Sequence, residues 1–163
     1  MSLVDSLQGK LDAKRIVIMD GGTGTEISRR GVAINPNLSW SASANLTSSD
    51  LVRDIHRDYI LAGAEIIITN TFSASRVTLA LDGLSEQTEV INKQSVILAM
   101  DARKSCDAER TVAIAGSMSA FEPKGHPEIT PSYEEALEDY REQARILAEA
   151  GVDLIILEMF VRT

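Results

Sequence analysis

Residues 130–158, TPSYEEALEDYREQARILAEAGVDLIILE, combine a helix pattern with a short apolar run that follows it directly. Thr130 is placed to cap the helix, and Pro131 suits a first helical turn, where its missing N–H costs nothing. Apolar side chains then recur at steps of three and four, and Gly151 supplies the stop. The run at residues 153–158 lacks alternating polar positions, which predicts a strand buried on both faces, as in a parallel sheet.

Three similar apolar runs precede this one, at residues 15–20, 65–71 and 111–116. Helical segments separate them: a short turn over 25–30, a helix from Ser48 to Gly63, and a weaker one from about Ser85 to Arg103. The alternation predicts an α/β protein, either an open doubly wound sheet or part of a (βα)8 barrel. A complete barrel needs roughly 250 residues, so a chain of 163 residues contains about half of one.

Composition narrows the class of protein. A net charge of -8 leaves no basic surface for nucleic acid. A single cysteine, Cys106, excludes an internal disulfide and any multi-cysteine metal site within one chain. The apolar runs are too short to span a bilayer, and the first residues lack a signal-peptide pattern, so no membrane association and a cytoplasmic location are expected.

Ligands of both architectures bind at the carboxyl ends of the strands. Those ends carry small, polar or acidic residues at 20–25, 69–72, 116–119 and 158–160. The glycines of the first group allow backbone N–H groups to approach an anion, although neither a P-loop nor a dinucleotide fingerprint is present. A tight turn without a ligand is the alternative for this group, and Asp20 beside it would repel a phosphate.

Two carboxylates, Asp20 and Glu158, are expected on the same rim. Glu158 alone could pair with a neighbouring arginine or lysine, but together the two could hold an ammonium group. Backbone donors at Gly21, Gly22 and around Thr71 could then hold an α-carboxylate. This combination favours an amino-acid ligand.

Four further residues are interpreted more simply. His56 is expected to pack within a helix or lie on its surface, and His126 to be an exposed loop residue. Cys106 precedes the third strand, so it is expected as an inert thiol at the opposite rim. Trp40 is expected to anchor the long first loop by packing.

The same residues, in this order, resemble the homocysteine S-methyltransferases. The likeness runs from about residue 15 to residue 160. It is carried by the stretches Met19–Glu26 with Arg29–Gly31, Trp40–Ala42, His56–Tyr59 with Ala62–Ala64, Thr69–Ser75, and Ala150–Leu154 with Leu157–Met159.

The resemblance implies that residues 1–163 are the N-terminal half of a homocysteine-binding (βα)8 barrel. It implies homocysteine and a small methyl donor as substrates, with the methyl group moved to sulfur to make methionine. By position, Asp20 and Glu158 would hold the substrate amine, and Gly21, Gly22 and Thr71 would surround its carboxylate.

The family binds the homocysteine sulfur through zinc held by three cysteines of later strands. Metal coordination makes sense there, because a free thiol with a pKa near 8.5 attacks as the thiolate. Cys106 matches none of these ligands, so the isolated chain is expected to be inactive. A fragment of a longer protein is favoured over a natural half-barrel, and two copies are expected to cover each other's open sheet.

Two other functions stay open at this stage. One is a non-catalytic module that binds an amino acid or thioether on the same rim. The other is a different barrel enzyme that acts on a phosphorylated metabolite through the glycine turn. The second ranks last, because the carboxylate of Asp20 disfavours a phosphate.

Overall fold

The computed structural model describes residues 3–34, 39–106, 112–120 and 130–160. In these ranges three strands are surrounded by helices. In chain order the elements are α1 (Leu3–Asp12), α2 (Thr23–Arg29), α3 (Ala44–Thr47), α4 (Ser49–Ala62), β1 (Ile66–Ile68), α5 (Arg76–Ala80), a 3-10 turn (Ser85–Gln87), α6 (Thr88–Ser105), β2 (Ala113–Ser119), α7 (Tyr133–Ala150) and β3 (Leu154–Glu158).

The three strands form one parallel sheet in the order β1-β2-β3. Ile66 pairs with Ala113, and Ala115 pairs with Leu154. The predicted α/β class and parallel sheet are therefore confirmed. Strands that follow one another along the chain lie side by side, so the described part of the sheet has no reversal of strand order.

The predicted first strand, residues 15–20, is wrong in its extent. Only Met19 makes a parallel bridge, to Ile66, and the Asp20 N–H donates to the Ile66 carbonyl at 2.9 Å. The rest of the run belongs to no strand, and Ile16 is 82% exposed. Among the described residues this segment has a neighbour on one side only, so its other side gains neither hydrogen bonds nor apolar cover.

The prediction that the strands are buried on both faces holds for β2 and fails for β3. Every residue of β2 is buried. On β3, Ile155 and Leu157 are 37% and 63% exposed. The reason is position, since β2 lies between two strands while β3 is the edge of the described sheet.

The predicted ends of two helices are confirmed. Gly63 and Gly151 follow α4 and α7 with φ of +119° and +92°, a left-handed conformation that suits glycine. The predicted cap Thr130 is wrong, because Ser132 caps α7. Its Oγ accepts the Glu135 N–H at 3.3 Å, and the Glu135 carboxylate accepts the Ser132 N–H at 2.8 Å. Only the serine is followed three residues later by a glutamate, as a reciprocal capping box requires.

Helix α1 was not predicted from the sequence. Its Leu3 and Leu7 pack against one face of the sheet, on Ile66 and neighbouring strand residues. Lys10 forms an ion pair with Glu65, directly before β1. This sheet face, expected to be open, is thus partly covered by the chain's own first helix.

The opposite face of the sheet is covered by α4, α6 and α7. Ile60 of α4 and Ala99 of α6 pack on Ile67 and Ile114, and Leu147 of α7 packs on Met118 of β2. None of the helices in the described ranges is long and apolar enough to cross a membrane. Both faces are thus occupied by helices, which leaves the carboxyl ends of the strands as the accessible edge.

Candidate functional site

A cleft of about 420 Å³ lies at the carboxyl ends of the strands. Its lining comes from the turn after Asp20, the loop before α3, the carboxyl ends of β1, β2 and β3, and residues that follow β1 and β3. The lining residues are Gly21, Gly22, Thr23, Gly24, Thr25, Trp40, Ser41, Ile68, Thr69, Asn70, Phe72, Ser117, Glu158 and Met159.

Asp20 lies beside this cleft, next to Gly21 and hydrogen-bonded to Ile68. Its Oδ2 accepts the Ile68 N–H at 2.8 Å. Its Oδ1 is buried and has no hydrogen-bond partner among the described residues. Burial raises the pKa of Asp20 from its ordinary 3.8 to about 7, and the negative charge of Glu158 adds to the increase. The site therefore contains a buried acceptor that is poised between its neutral and charged forms near neutral pH.

Glu158 ends β3 and faces the same cleft. Its Oε1 accepts a hydrogen bond from the Ser117 hydroxyl at 2.8 Å. Because Glu158 acts electrostatically on Asp20, the two carboxylates share one rim. Neither carboxylate forms an ion pair with an arginine or lysine among the described residues. The simpler interpretation, a Glu158–cation pair, therefore does not apply to this part of the chain.

The glycine turn lines the same cleft as Glu158. A Cβ on Gly21 would lie 2.9 Å from the Tyr59 hydroxyl oxygen, and one on Gly24 would lie 2.1 Å from Trp40 Nε1. Glycine is thus required at position 24, where three side-chain atoms crowd the added Cβ, whereas at Gly21 only the end of the Tyr59 side chain is too close. The same turn also lines the cleft and opens α2, whose first N–H groups have no carbonyl partner within the helix. The turn therefore packs closely on Trp40 and also borders the cleft.

Trp40 is a packing residue, as predicted, and also a wall of the cleft. Its loop is fixed by Asn70, which uses its whole side chain. Asn70 Nδ2 donates to the Ser41 carbonyl at 2.9 Å and to Asn45 Oδ1 at 3.0 Å, while Asn70 Oδ1 accepts from the Ser41 hydroxyl at 2.6 Å. Asn70 therefore holds the loop with both its amide nitrogen and its amide oxygen.

Thr71 lies beneath the cleft and not in its lining. It is fully buried, and its N–H donates to the Thr69 carbonyl at 2.8 Å. Its hydroxyl donates to the Ser117 carbonyl at 2.7 Å. Of the five predicted site residues, the structure brings Gly21, Gly22 and Glu158 into the lining and Asp20 beside it. The predicted ligand contact of Thr71 stays a prediction.

Sequence reasoning did not select Ser117, Phe72 or Met159, which all line the cleft. Their signal was their position directly after or at the end of an apolar strand. His56 is fully buried in α4, and burial lowers its pKa from 6.5 to about 4, in keeping with the predicted packing role. His126 lies outside the described residues.

The residues present do not fit a three-cysteine zinc site. Among the described residues, no three histidine, cysteine, aspartate or glutamate side chains are grouped so that they could hold a metal ion. The sole cysteine, Cys106, follows α6, with its Sγ 4.0 Å from the Arg57 carbonyl oxygen. Because α6 leads to the amino end of β2, this thiol lies at the opposite end of the sheet from the cleft.

The described residues thus form an α/β protein with an acidic, glycine-lined cleft at the carboxyl edge of a parallel sheet. The profile of the homocysteine S-methyltransferase family matches residues 17–163. The chain belongs to this family.

Curated relatives agree with this assignment. Homocysteine S-methyltransferase 2 of Zea mays is 37% identical over 174 residues, which cover 95% of this chain and 49% of the relative. Homocysteine S-methyltransferase of Escherichia coli (strain K12) is 33% identical over 170 residues, which cover 97% and 54%. Selenocysteine methyltransferase of Astragalus bisulcatus is 32% identical over 172 residues, which cover 90% and 51%. The chain spans about half the length of the curated relatives it matches.

A solved structure also shares the fold. The homocysteine methyltransferase MmuM from Escherichia coli, in its metallated form, superposes with a TM-score of 0.80 at 31% sequence identity. The match covers 93% of this chain and 56% of the other.

Proposed function

We propose that residues 1–163 form the N-terminal, substrate-binding half of a homocysteine S-methyltransferase (βα)8 barrel. Consecutive parallel strands in chain order support a barrel, because a doubly wound sheet places its site where the strand order reverses. The matched share of the relatives, 49% and 54% in two of them, supports half a barrel.

The ligand of the cleft is an amino acid, held by its ammonium group. The observation that carries this proposal is the buried Oδ1 of Asp20, an acceptor without a donor among the described residues. An ammonium group would supply N–H donors and a positive charge to both Asp20 and Glu158, and so offset the cost of burying a carboxylate. The α-carboxylate would lie against the backbone of Gly21 and Gly22, with Thr71 supporting that end of the cleft from beneath.

The reaction we assign to the family member as a whole is methyl transfer to homocysteine. The thiolate sulfur attacks the methyl carbon of a sulfonium or quaternary ammonium donor, a new S–CH₃ bond forms, and the bond from methyl to donor breaks to release a neutral donor. Zinc, when bound, would lower the pKa of the thiol so that the thiolate exists at neutral pH. The described residues contain no group of side chains that could hold a metal ion. We therefore expect the chain alone to bind homocysteine without methylating it.

Titration calorimetry with homocysteine tests the binding proposal. We expect 1:1 binding that Asp20→Asn and Glu158→Gln each weaken at least about tenfold, since hydrogen-bonded charges contribute roughly 1.5–3 kcal/mol. Asp101→Asn, on the exposed surface of α6, is the matched control and should leave binding unchanged. Selenocysteine tests the preference for the acceptor, and methionine tests whether the product binds in the same cleft. Competition by phosphate esters but not by amino acids would contradict the proposal.

Turnover is measured separately, with S-methylmethionine as donor and added zinc. We expect neither methionine formation nor stoichiometric zinc on this chain. Substantial zinc-dependent turnover would show that the chain contains a thiolate activator after all.

A non-catalytic amino-acid-binding module is the second candidate, favoured by the absence of a metal cluster in the described residues. Joining the chain to the matching second half of the Escherichia coli relative separates the two candidates. Restored methyl transfer supports half of an enzyme, whereas retained homocysteine binding without transfer supports the binding module.

We also propose that two copies associate, so that each covers the open sheet of the other. Both edges of the sheet expose apolar side chains, Ile16 and Ile18 at 82% and 50% on one edge, and Leu157 at 63% on the other. Leu157→Lys should convert a dimer to a monomer in analytical ultracentrifugation. Leu61→Lys is the control, because Leu61 is equally exposed, at 62%, on helix α4. A monodisperse wild-type monomer would contradict this proposal.

A cytoplasmic location stays a prediction.

A further inference from the structure

Three residues, Thr69, Thr71 and Ser117, form a closed hydrogen-bonded ring at the base of the cleft, between the ends of β1 and β2. The Ser117 N–H donates to Thr69 Oγ1 at 3.2 Å, and the Thr71 hydroxyl donates to the Ser117 carbonyl at 2.7 Å. The two threonine hydroxyl oxygens are 2.8 Å apart. Because the single proton of Thr71 is used on Ser117, the Thr69 hydroxyl must donate to Thr71. Each of the three residues is therefore donor and acceptor within the ring.

The ring replaces the regular ladder at the point where β1 ends. The pairing of β1 with β2 stops at Ile68 and Ala115, and the Thr69 N–H still donates to the Ala115 carbonyl at 2.9 Å. After Ala115, the backbone N–H and carbonyl of Ser117 in β2 are hydrogen-bonded by the side chains of Thr69 and Thr71 instead of by the β1 backbone. Ser117 is 0% exposed, so its N–H and carbonyl are satisfied by this ring in a site without access to solvent.

The Ser117 hydroxyl takes no part in this ring and makes a separate hydrogen bond. It donates to Glu158 Oε1 at 2.8 Å, across the pairing of β2 with β3, and so holds one carboxylate oxygen in place. The other oxygen, Oε2, accepts no hydrogen bond from the residues that the structure describes, so it can accept an N–H of a ligand. A glutamate at the end of an edge strand has several rotamers, and this bond selects among them.

We propose that Ser117 is a positioning residue, braced by Thr69 and Thr71, that aims the Glu158 carboxylate at the ammonium group of the bound amino acid. This inference rests on the proposed function, since it needs an amine-bearing ligand in the cleft. It predicts that Ser117 contributes to recognition of the amine and not to that of the rest of the ligand.

The experiment compares the affinity for homocysteine with that for its analogue without the amine, 4-mercaptobutyrate, by titration calorimetry. Ser117→Ala should weaken homocysteine binding about tenfold and leave the analogue unchanged, while Ser117→Thr, which keeps a hydroxyl, should retain the preference for the amine. The matched control is Ser119→Ala, which removes another buried hydroxyl, two residues along β2, that donates to the Phe72 carbonyl at 2.5 Å. Any effect of this control should be the same for both ligands.

A double-mutant cycle with Glu158→Gln tests whether Ser117 acts on binding through the Glu158 carboxylate. In the Glu158→Gln background, Ser117→Ala should cost less than about twofold, because its partner carboxylate is gone. Equal losses in both backgrounds, or equal losses for both ligands, would overturn the positioning role.

Failure of the inference can be told from failure of the proposed function. If Glu158→Gln weakens homocysteine binding but Ser117→Ala does not, only the positioning role is overturned. If Glu158→Gln has no effect on binding, the amine contact itself fails, and the inference fails with it. Should Ser117→Ala not fold, Thr71→Val removes the bracing hydroxyl with little change of volume, and a partial loss of amine preference is then the expected result.

Discussion

Replacing Asp20 with asparagine should stabilise the protein at neutral and alkaline pH. Burial raises the pKa of Asp20 from 3.8 to about 7 in the folded protein. The folded state therefore binds this proton more tightly than the unfolded chain does. The stability associated with the proton is fully present below about pH 4 and is lost as the pH rises through 7.

The pKa difference sets the size of the effect. A change from 3.8 to about 7 corresponds to roughly 4 kcal/mol between the protonated and ionised forms. Asparagine is neutral at every pH and can still accept the Ile68 N–H. The variant and the wild type should thus differ little at pH 4, and the variant should be more stable by up to roughly 4 kcal/mol at pH 8. For a domain of this size that corresponds to roughly 8–16 °C in Tm.

Urea denaturation followed by circular dichroism, at several pH values between 4 and 8, measures this difference. Ionisable groups that do not interact with Asp20 are common to both proteins, so their contributions cancel in the comparison. Asp101→Asn, at an exposed position on α6, should show no such pH-dependent gain. A difference that does not change with pH, or a variant less stable than the wild type at pH 8, would refute the reasoning. A gain in stability together with a loss of homocysteine binding would identify Asp20 as a group kept for function at a cost in stability.

Three further predictions concern the ligand, the glycine turn and the α7 cap. Homocysteine affinity should fall about tenfold for each pH unit below 7, because Asp20 must be ionised to pair with the ammonium group, and a flat calorimetric profile between pH 5 and 8 would contradict this. Gly24→Ala should cost roughly 1–3 kcal/mol of stability, because its Cβ would lie 2.1 Å from Trp40 Nε1. Gly9→Ala in α1, with open space around it, should stabilise by roughly 0.5–1 kcal/mol; equal effects in thermal denaturation would exclude the packing explanation. Ser132→Ala should lower the free energy of unfolding by about 1 kcal/mol, and Thr130→Ala should hardly change it. A larger loss for Thr130→Ala would identify Thr130 as the cap of α7, as the sequence first predicted.

The sequence by itself determined the class of fold and the edge of the sheet where the site lies. Apolar runs without polar alternation predicted the parallel strands β1, β2 and β3, and glycines predicted the ends of α4 and α7. These are local signals, because hydrophobic period and left-handed backbone are properties of a few adjacent residues. The same logic identified Asp20 and Glu158, which directly follow or end apolar runs.

Tertiary structure alone decided how long each strand is and what covers it. The run at residues 15–20 has the composition of a strand, yet only Met19 forms a bridge, because a ladder needs partners that lie elsewhere in the chain. Helix α1 is also a tertiary result, since it is held by contacts of Leu3, Leu7 and Lys10 with the sheet and with Glu65.

Tertiary structure also decided which polar groups have partners. From the sequence, Thr71 was predicted to lie near the ligand carboxylate, and Ser117 was grouped with the polar residues at the end of its strand without a role of its own. The folded chain buries Thr71 in a hydrogen-bonded ring and directs the Ser117 hydroxyl to Glu158. Hydrogen bonding is short-ranged and directional, so its pairing depends on distances across strands that are more than forty residues apart in sequence.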